Sequence, residues 1–198
     1  MRVKSQWFKG GKARTPKEIA GAAAFNIWRI ANNALKSMRG ADFDIAVGAQ
    51  YFSFLSEFLV FMVQVADRIA FRRMSGEDRV IFTSEVANRV GETLADNRSE
   101  LLGGAAAEHK AVFIELLNRR AGEYAEFEYQ EGQSNFSFMR HLGYVLQEIM
   151  DERDRYWVTD QVMAIEAPEA VETLEKAMRG FFGDEPKRQR GSAAAGVD

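Results

Sequence analysis

The chain has no cysteine. That excludes disulfide staples, thiolate catalysis, zinc fingers and iron–sulfur clusters. Histidine is almost as scarce: His109 and His141 are the two in 198 residues, too few for a histidine-rich metal centre. Three prolines leave room for long helices before a breaker. There is no Gly-x-Ser-x-Gly elbow, and Gly10-Gly11-Lys12 lacks the spacing of a phosphate-cradling loop. The first residues lack the apolar core and cleavage site of a secretory signal, so the expected compartment is cytoplasmic. The longest apolar stretch, residues 51–71, contains Glu57, Gln64, Asp67 and Arg68. Each central charge costs about 2.5–3.5 kcal/mol to insert into a bilayer, which argues against an integral membrane protein.

What is present is helical periodicity. Hydrophobic residues make up 46% and charged residues 28%, a globular balance. The expected fold is all-α, a single-domain bundle of about six helices with mostly antiparallel neighbours. It spans residues 15–182, between a flexible basic arm (1–14) and a disordered polar tail (183–198). Thr15, Pro16 and Glu18 form a helix start with a capping box. Ile19, Ala23, Ile27, Ile30, Ala34 and Met38 follow at helical spacing, and Gly40 is the stop. Asp42 is the expected cap of a second helix running to about Met74. Ser75 starts a third, striped by Phe82, Val86, Val90 and Leu94. A turn is expected at 97–99, then a fourth helix from about Leu101 and Leu102 to near Gly122. A long fifth helix is expected from about Phe136 to Glu166, with Phe138, Leu142, Val145, Tyr156 and Met163 on its apolar face. Pro168 is expected to end it and to open the sixth, striped by Val171, Leu174, Met178 and Phe181.

The second helix is unusual in its girth. Ser53, Ser56, Glu57, Gln64, Asp67 and Arg68 occupy an arc of roughly 120°, and apolar side chains fill the remaining ~240°. A surface helix needs an apolar stripe nearer 100° wide. This one is therefore surrounded: either central in its own bundle, with a thin solvated stripe, or seated in a homodimer interface through Phe54, Phe58, Phe61 and Met62.

Chemistry is thinly represented. The Glu-x-x-His motif of di-metal carboxylate bundles is missing, because Phe138 and Ala106 stand three residues before the histidines. A weaker metal set would draw on Glu57, His141, Glu148 and Glu152, since the last three share one helical face; the competing reading is a salt-bridged, solvated face. Charge is segregated. Residues 1–39 carry nine basic and one acidic residue, a net +8, and the remainder nets −11. In the arm, Arg2, Lys4, Lys9, Lys12 and Arg14 surround Trp7 and Phe8, a pattern suited to nucleic acid, anionic lipid or acidic protein. The favoured dock is protein, for instance the acidic-aromatic segment 123–131. No recognition helix is evident, which argues against sequence-specific DNA binding. The functional expectation is a non-catalytic interaction protein, a scaffold, adaptor or chaperone-like module that self-associates and needs no cofactor. The alternatives are a carboxylate metal bundle or non-specific nucleic-acid binding through the arm.

Overall fold

The computed structural model describes residues 14–183. Residues 1–13 and 184–198, and with them most of the basic arm and the polar tail, lie outside the described residues. The elements are α1 (Pro16–Gly40), α2 (Ala49–Phe71), α3 (Gly76–Leu102), α4 (Ala106–Ala125), α5 (Phe136–Gln147) and a final helical run. That run comprises α6 (Val158–Gln161), a π-helical turn (Val162–Glu166) and α7 (Ala167–Phe182). The described residues contain no strand, so the fold is a bundle of six helical rods. None of the helices is long and apolar enough to cross a membrane, among the described residues.

Local sequence sets the first boundary as expected. The Thr15 hydroxyl accepts from the Glu18 N–H while the Glu18 carboxylate accepts from the Thr15 N–H, closing the capping box. Short connections then fold the helices back on one another. Arg79 near the start of α3 pairs with Asp67 near the end of α2, and Lys110 of α4 reaches Glu92 of α3. Gly91 lets α3 approach α4: a Cβ there would meet the Phe113 ring at 3.0 Å. Helix α7 runs antiparallel to α1. Ser37 donates to Glu166 at one end, and the Arg14 guanidinium donates to the Gly180 and Phe181 carbonyls at the other. Arg14 therefore belongs to the folded body, not to a free arm.

Helix α2 is the axle. It packs against α1, α3, α4, α5 and α7. Phe54, Phe58, Phe61 and Met62 have no accessible surface within the single chain. This corrects the expectation that they form a subunit interface: their roughly 1.5–3 kcal/mol each of apolar transfer is already realised inside the bundle. The central position is the one its girth implied. The polar arc is not a solvated stripe, however: Ser56, Glu57 and Gln64 are buried, Asp67 and Arg68 are half-buried, and Ser53 is exposed.

Four other boundaries differ from expectation. Helix α2 is capped by Gly48, in a left-handed conformation at φ +128°, while Asp42 sits in the preceding loop. Helix α3 continues through the expected turn at 97–99 and stops at Gly103 and Gly104, whose positive φ ends it. Leu101 and Leu102 therefore finish α3, exposed, rather than begin α4. The long fifth helix is interrupted from 148 to 157. There the chain is held by distant partners: Asp154 accepts from the Asp44 N–H, and Gln50 at the start of α2 donates to the Ile149 carbonyl. Tyr156, expected on the apolar face, is exposed. Finally, Pro168 does not stop a helix. It has no N–H for the Ala164 carbonyl, and its ring would crowd that carbonyl in a regular helix. The chain widens into a π turn just before it, where the Ala167 N–H donates to the Val162 carbonyl, and then continues as α7.

Candidate functional site

Two polar regions stand out, and they differ in kind. The first lies where α2, α4 and α5 meet. Glu57, 6% exposed, projects from α2 onto Arg120 of α4, which reaches its two oxygens at 2.7–3.2 Å. The same guanidinium grips Glu123 one turn on, at 2.7 and 3.0 Å. Glu123 Oε2 lies 2.8 Å from His141 Nε2 of α5. The imidazole is bracketed by rings, edge-on to Tyr124 at 4.8 Å and tilted against Phe127 at 5.3 Å. Phe61, Tyr124, Phe138 and Tyr129 continue this aromatic contact across the bundle.

The electrostatics follow from this geometry. Burial works to raise the Glu123 carboxyl, but the hydrogen bonds and charge of Arg120, and then those of His141, hold it below the ordinary glutamate value. Desolvation pulls the Arg120 guanidinium down, and the two carboxylates more than reverse that. Burial, and then the charge of Glu57, raises the Tyr124 phenol.

This region gathers two of the four sequence-derived metal candidates, Glu57 and His141, but joins them through Arg120 and Glu123. Both carboxylates already face a cation. Glu148 and Glu152 are exposed beyond the end of α5, because the helical face that would have aligned them with His141 stops at Gln147. No three His, Asp or Glu side chains converge to hold a metal ion among the described residues. The acidic-aromatic segment 123–131 is likewise engaged internally. Glu131 pairs with Arg73 and Arg179, and Tyr124 and Tyr129 are buried.

The second region is a cleft of about 720 Å³ between the start of α5 and the π turn with α7. Met139 and Val171 floor it, with Phe136, Met163 and Pro168 beside them. Its far wall is the loop 132–134, and that wall is fixed. Glu175, buried on α7, accepts from the Tyr129 hydroxyl at 2.7 Å and from the Gly132 N–H at 3.0 Å. The Asn135 side chain ties Gln130 and Gln133 together from a left-handed backbone, φ +44°. A second, shallower cleft of about 570 Å³ adjoins it across Asp160 and Ala164, with Trp157, Phe43 and Arg153 on its walls.

No family model, curated protein or solved structure matches this chain.

The site must therefore be read from its own chemistry. Phe136 is 60% and Trp157 66% exposed, one in each cleft. Large exposed aromatics beside a groove are the composition of a recognition surface. Sequence reasoning missed it. The sequence pattern makes Phe136 only a helix start and Met163 a core position of one long helix. The one local signal was Pro168 within an otherwise helical pattern, which marks a distorted turn, and such turns are frequent at functional sites.

Proposed function

We propose that the chain is a non-catalytic interaction module, an adaptor or scaffold, that works through the cleft between α5 and α7. The observation that carries this reading is an apolar floor with exposed aromatics around it, held open by a hydrogen-bonded loop rather than closed by the chain's own side chains. Pockets of roughly 300–1,000 Å³ that are mainly apolar, with a few placed polar groups, are the usual form of binding sites. A wall fixed beforehand spares the ordering entropy of binding. The reading supposes a single chain engaging another molecule, since Phe54, Phe58, Phe61 and Met62 of α2 are interior.

The test is titration of the full chain with the neutral dye Nile red. Saturable binding near one dye per chain, with blue-shifted emission, is expected. Ala164→Arg, at an exposed position shared by both clefts, should abolish it. Absence of binding, or binding that survives Ala164→Arg, would remove the proposal.

A further inference from the structure

The cleft has a charge pattern as well as an apolar floor. Among the described residues three acidic side chains line it, Asp160, Glu172 and Glu175, and no basic one does. Glu175 is occupied by Tyr129, Gly132 and, at 3.8 Å, Arg179. Asp160 and Glu172 are different. Both are exposed, and neither has an ion-pair or hydrogen-bond partner for its carboxylate among the described residues. Most of the better-placed carboxylates elsewhere in the bundle, Glu57, Asp67, Glu123 and Glu131, have an arginine.

The π turn is what places these two together. Twelve residues separate them, which in a regular helix puts them about 120° out of line. The extra residue of a π turn between them takes back about 100°, so both fall on the face that lines the cleft. They stand roughly 18 Å apart along the helical run, at 1.5 Å per residue. That is the length of about three helical turns, with Met163, Pro168 and Val171 between the two charges.

From this geometry we infer that the cleft receives a basic amphipathic helix of a partner protein. Its apolar face lies on Met139, Met163 and Val171, and its lysine or arginine side chains meet Asp160 at one end and Glu172 at the other. Helix-in-groove recognition of this type uses anchors at i, i+3, i+4 and i+7, a span that fits between the two carboxylates. The exposed rings of Phe136 and Trp157 suit the aliphatic stems and cationic heads of such side chains. Charge complementarity therefore selects a cationic occupant over an acidic one. This inference rests on the cleft being a binding site, and the experiment separates the two claims.

Two labelled peptides of equal length would be compared by fluorescence anisotropy against the full chain, an amphipathic Leu/Lys helix and its Leu/Glu counterpart. Sedimentation would give the composition of the complex. The Leu/Lys peptide should bind at least ten-fold more tightly and displace Nile red. Asp160→Asn with Glu172→Gln should erase most of that preference and leave Nile red binding intact. Asp96→Asn with Glu100→Gln removes the same charge from exposed positions on α3 and should leave the preference unchanged. That control matters because residues 14–183 carry 26 acidic against 19 basic side chains and attract any polycation. Equal binding of the two peptides would overturn the inference, as would a preference that both double variants lower alike. A chain that sediments as a dimer and excludes the peptide would make a second copy the occupant and also overturn it. Nile red binding without peptide discrimination would defeat this inference alone, and loss of both would defeat the cleft itself.

Discussion

The cluster at Glu57 and the cleft at Asp160 treat the same kind of side chain in opposite ways. In the cluster, Glu57 and Glu123 are drawn into the bundle and share one guanidinium, with His141 and its rings closing the assembly. In the cleft, Asp160 and Glu172 stand at the rim of an apolar floor, and neither makes an ion pair among the described residues. Buried charges must be matched, because an unmatched one costs several kcal/mol. Rim charges face water and are under no such constraint. The cluster is therefore understood as structure, as is Glu175 in the cleft wall, while Asp160 and Glu172 at the rim make no such contact among the described residues.

The comparison breaks most sharply at Arg120. Arg120→Ala leaves Glu57 buried without its cation and should lower the free energy of unfolding by about 3–5 kcal/mol, read by urea denaturation. The paired change Glu57→Leu with Arg120→Met should recover most of the loss, since a well-packed apolar pair often does as well as a buried ion pair. If Arg120→Ala cost under about 1 kcal/mol, the pair would be behaving as a surface bridge and the contrast would fail. Gly143 gives a smaller effect nearer the cleft. A Cβ there would sit 2.9 Å from Thr159 Cγ2 and 3.3 Å from its Cα, so Gly143→Ala should cost about 1–3 kcal/mol by overpacking α5 against α6. Adding Thr159→Ser should return part of it, because the methyl contact is relieved while the hydroxyl keeps its bonds to Gln147 and to the Gly143 carbonyl.

How far the sequence foretold this can be judged at particular residues. The capping box at Thr15 and Glu18 was legible because it is a local chemical motif. The enclosure of α2 was legible because apolar girth is a property of one helix. The fate of its polar arc was not. Glu57 lies 63 residues from Arg120, and nothing in either neighbourhood announces the other. The break after Gln147 was hidden for the same reason. Residues 148–157 have ordinary helical composition, and their turns are fixed by long-range partners such as Asp44 and Gln50. The cleft then depends on that break, since α5 must fold back on α6 before Phe136 and Met163 can face each other. A helical reading that ran straight from 136 to 166 placed them on one rod and could not see a groove between two.

Acid should distinguish the two regions more gently. The Glu123 carboxyl is held below its unfolded value despite burial, chiefly by Arg120. In the window between the unfolded value and the lower folded one, the unfolded chain binds more protons, so stability falls as pH falls. The contribution is fully present above the ordinary glutamate value of about 4.3 and is lost as pH drops through the depressed folded value. Glu123→Gln should therefore flatten the acid limb of a stability-versus-pH curve measured by thermal unfolding. An acid limb as steep as that of the parent chain would show that Arg120 gives Glu123 no differential hold.

The smallest expected effect carries the comparison furthest. Asp160→Asn with Glu172→Gln should change unfolding free energy by no more than about 0.5 kcal/mol, since neither carboxylate has a partner to lose among the described residues. A small gain is the more natural direction, because two like charges are removed from a body already acidic overall. Were the double variant instead to lose 2 kcal/mol or more in urea, the two carboxylates would be holding the α6–α7 run in place, and their position at the rim would need no partner to explain it. Were it unchanged in stability but unable to favour a basic helix, the carboxylates would be doing at the cleft what Glu57 and Glu123 do inside the cluster, with the cation supplied from another molecule.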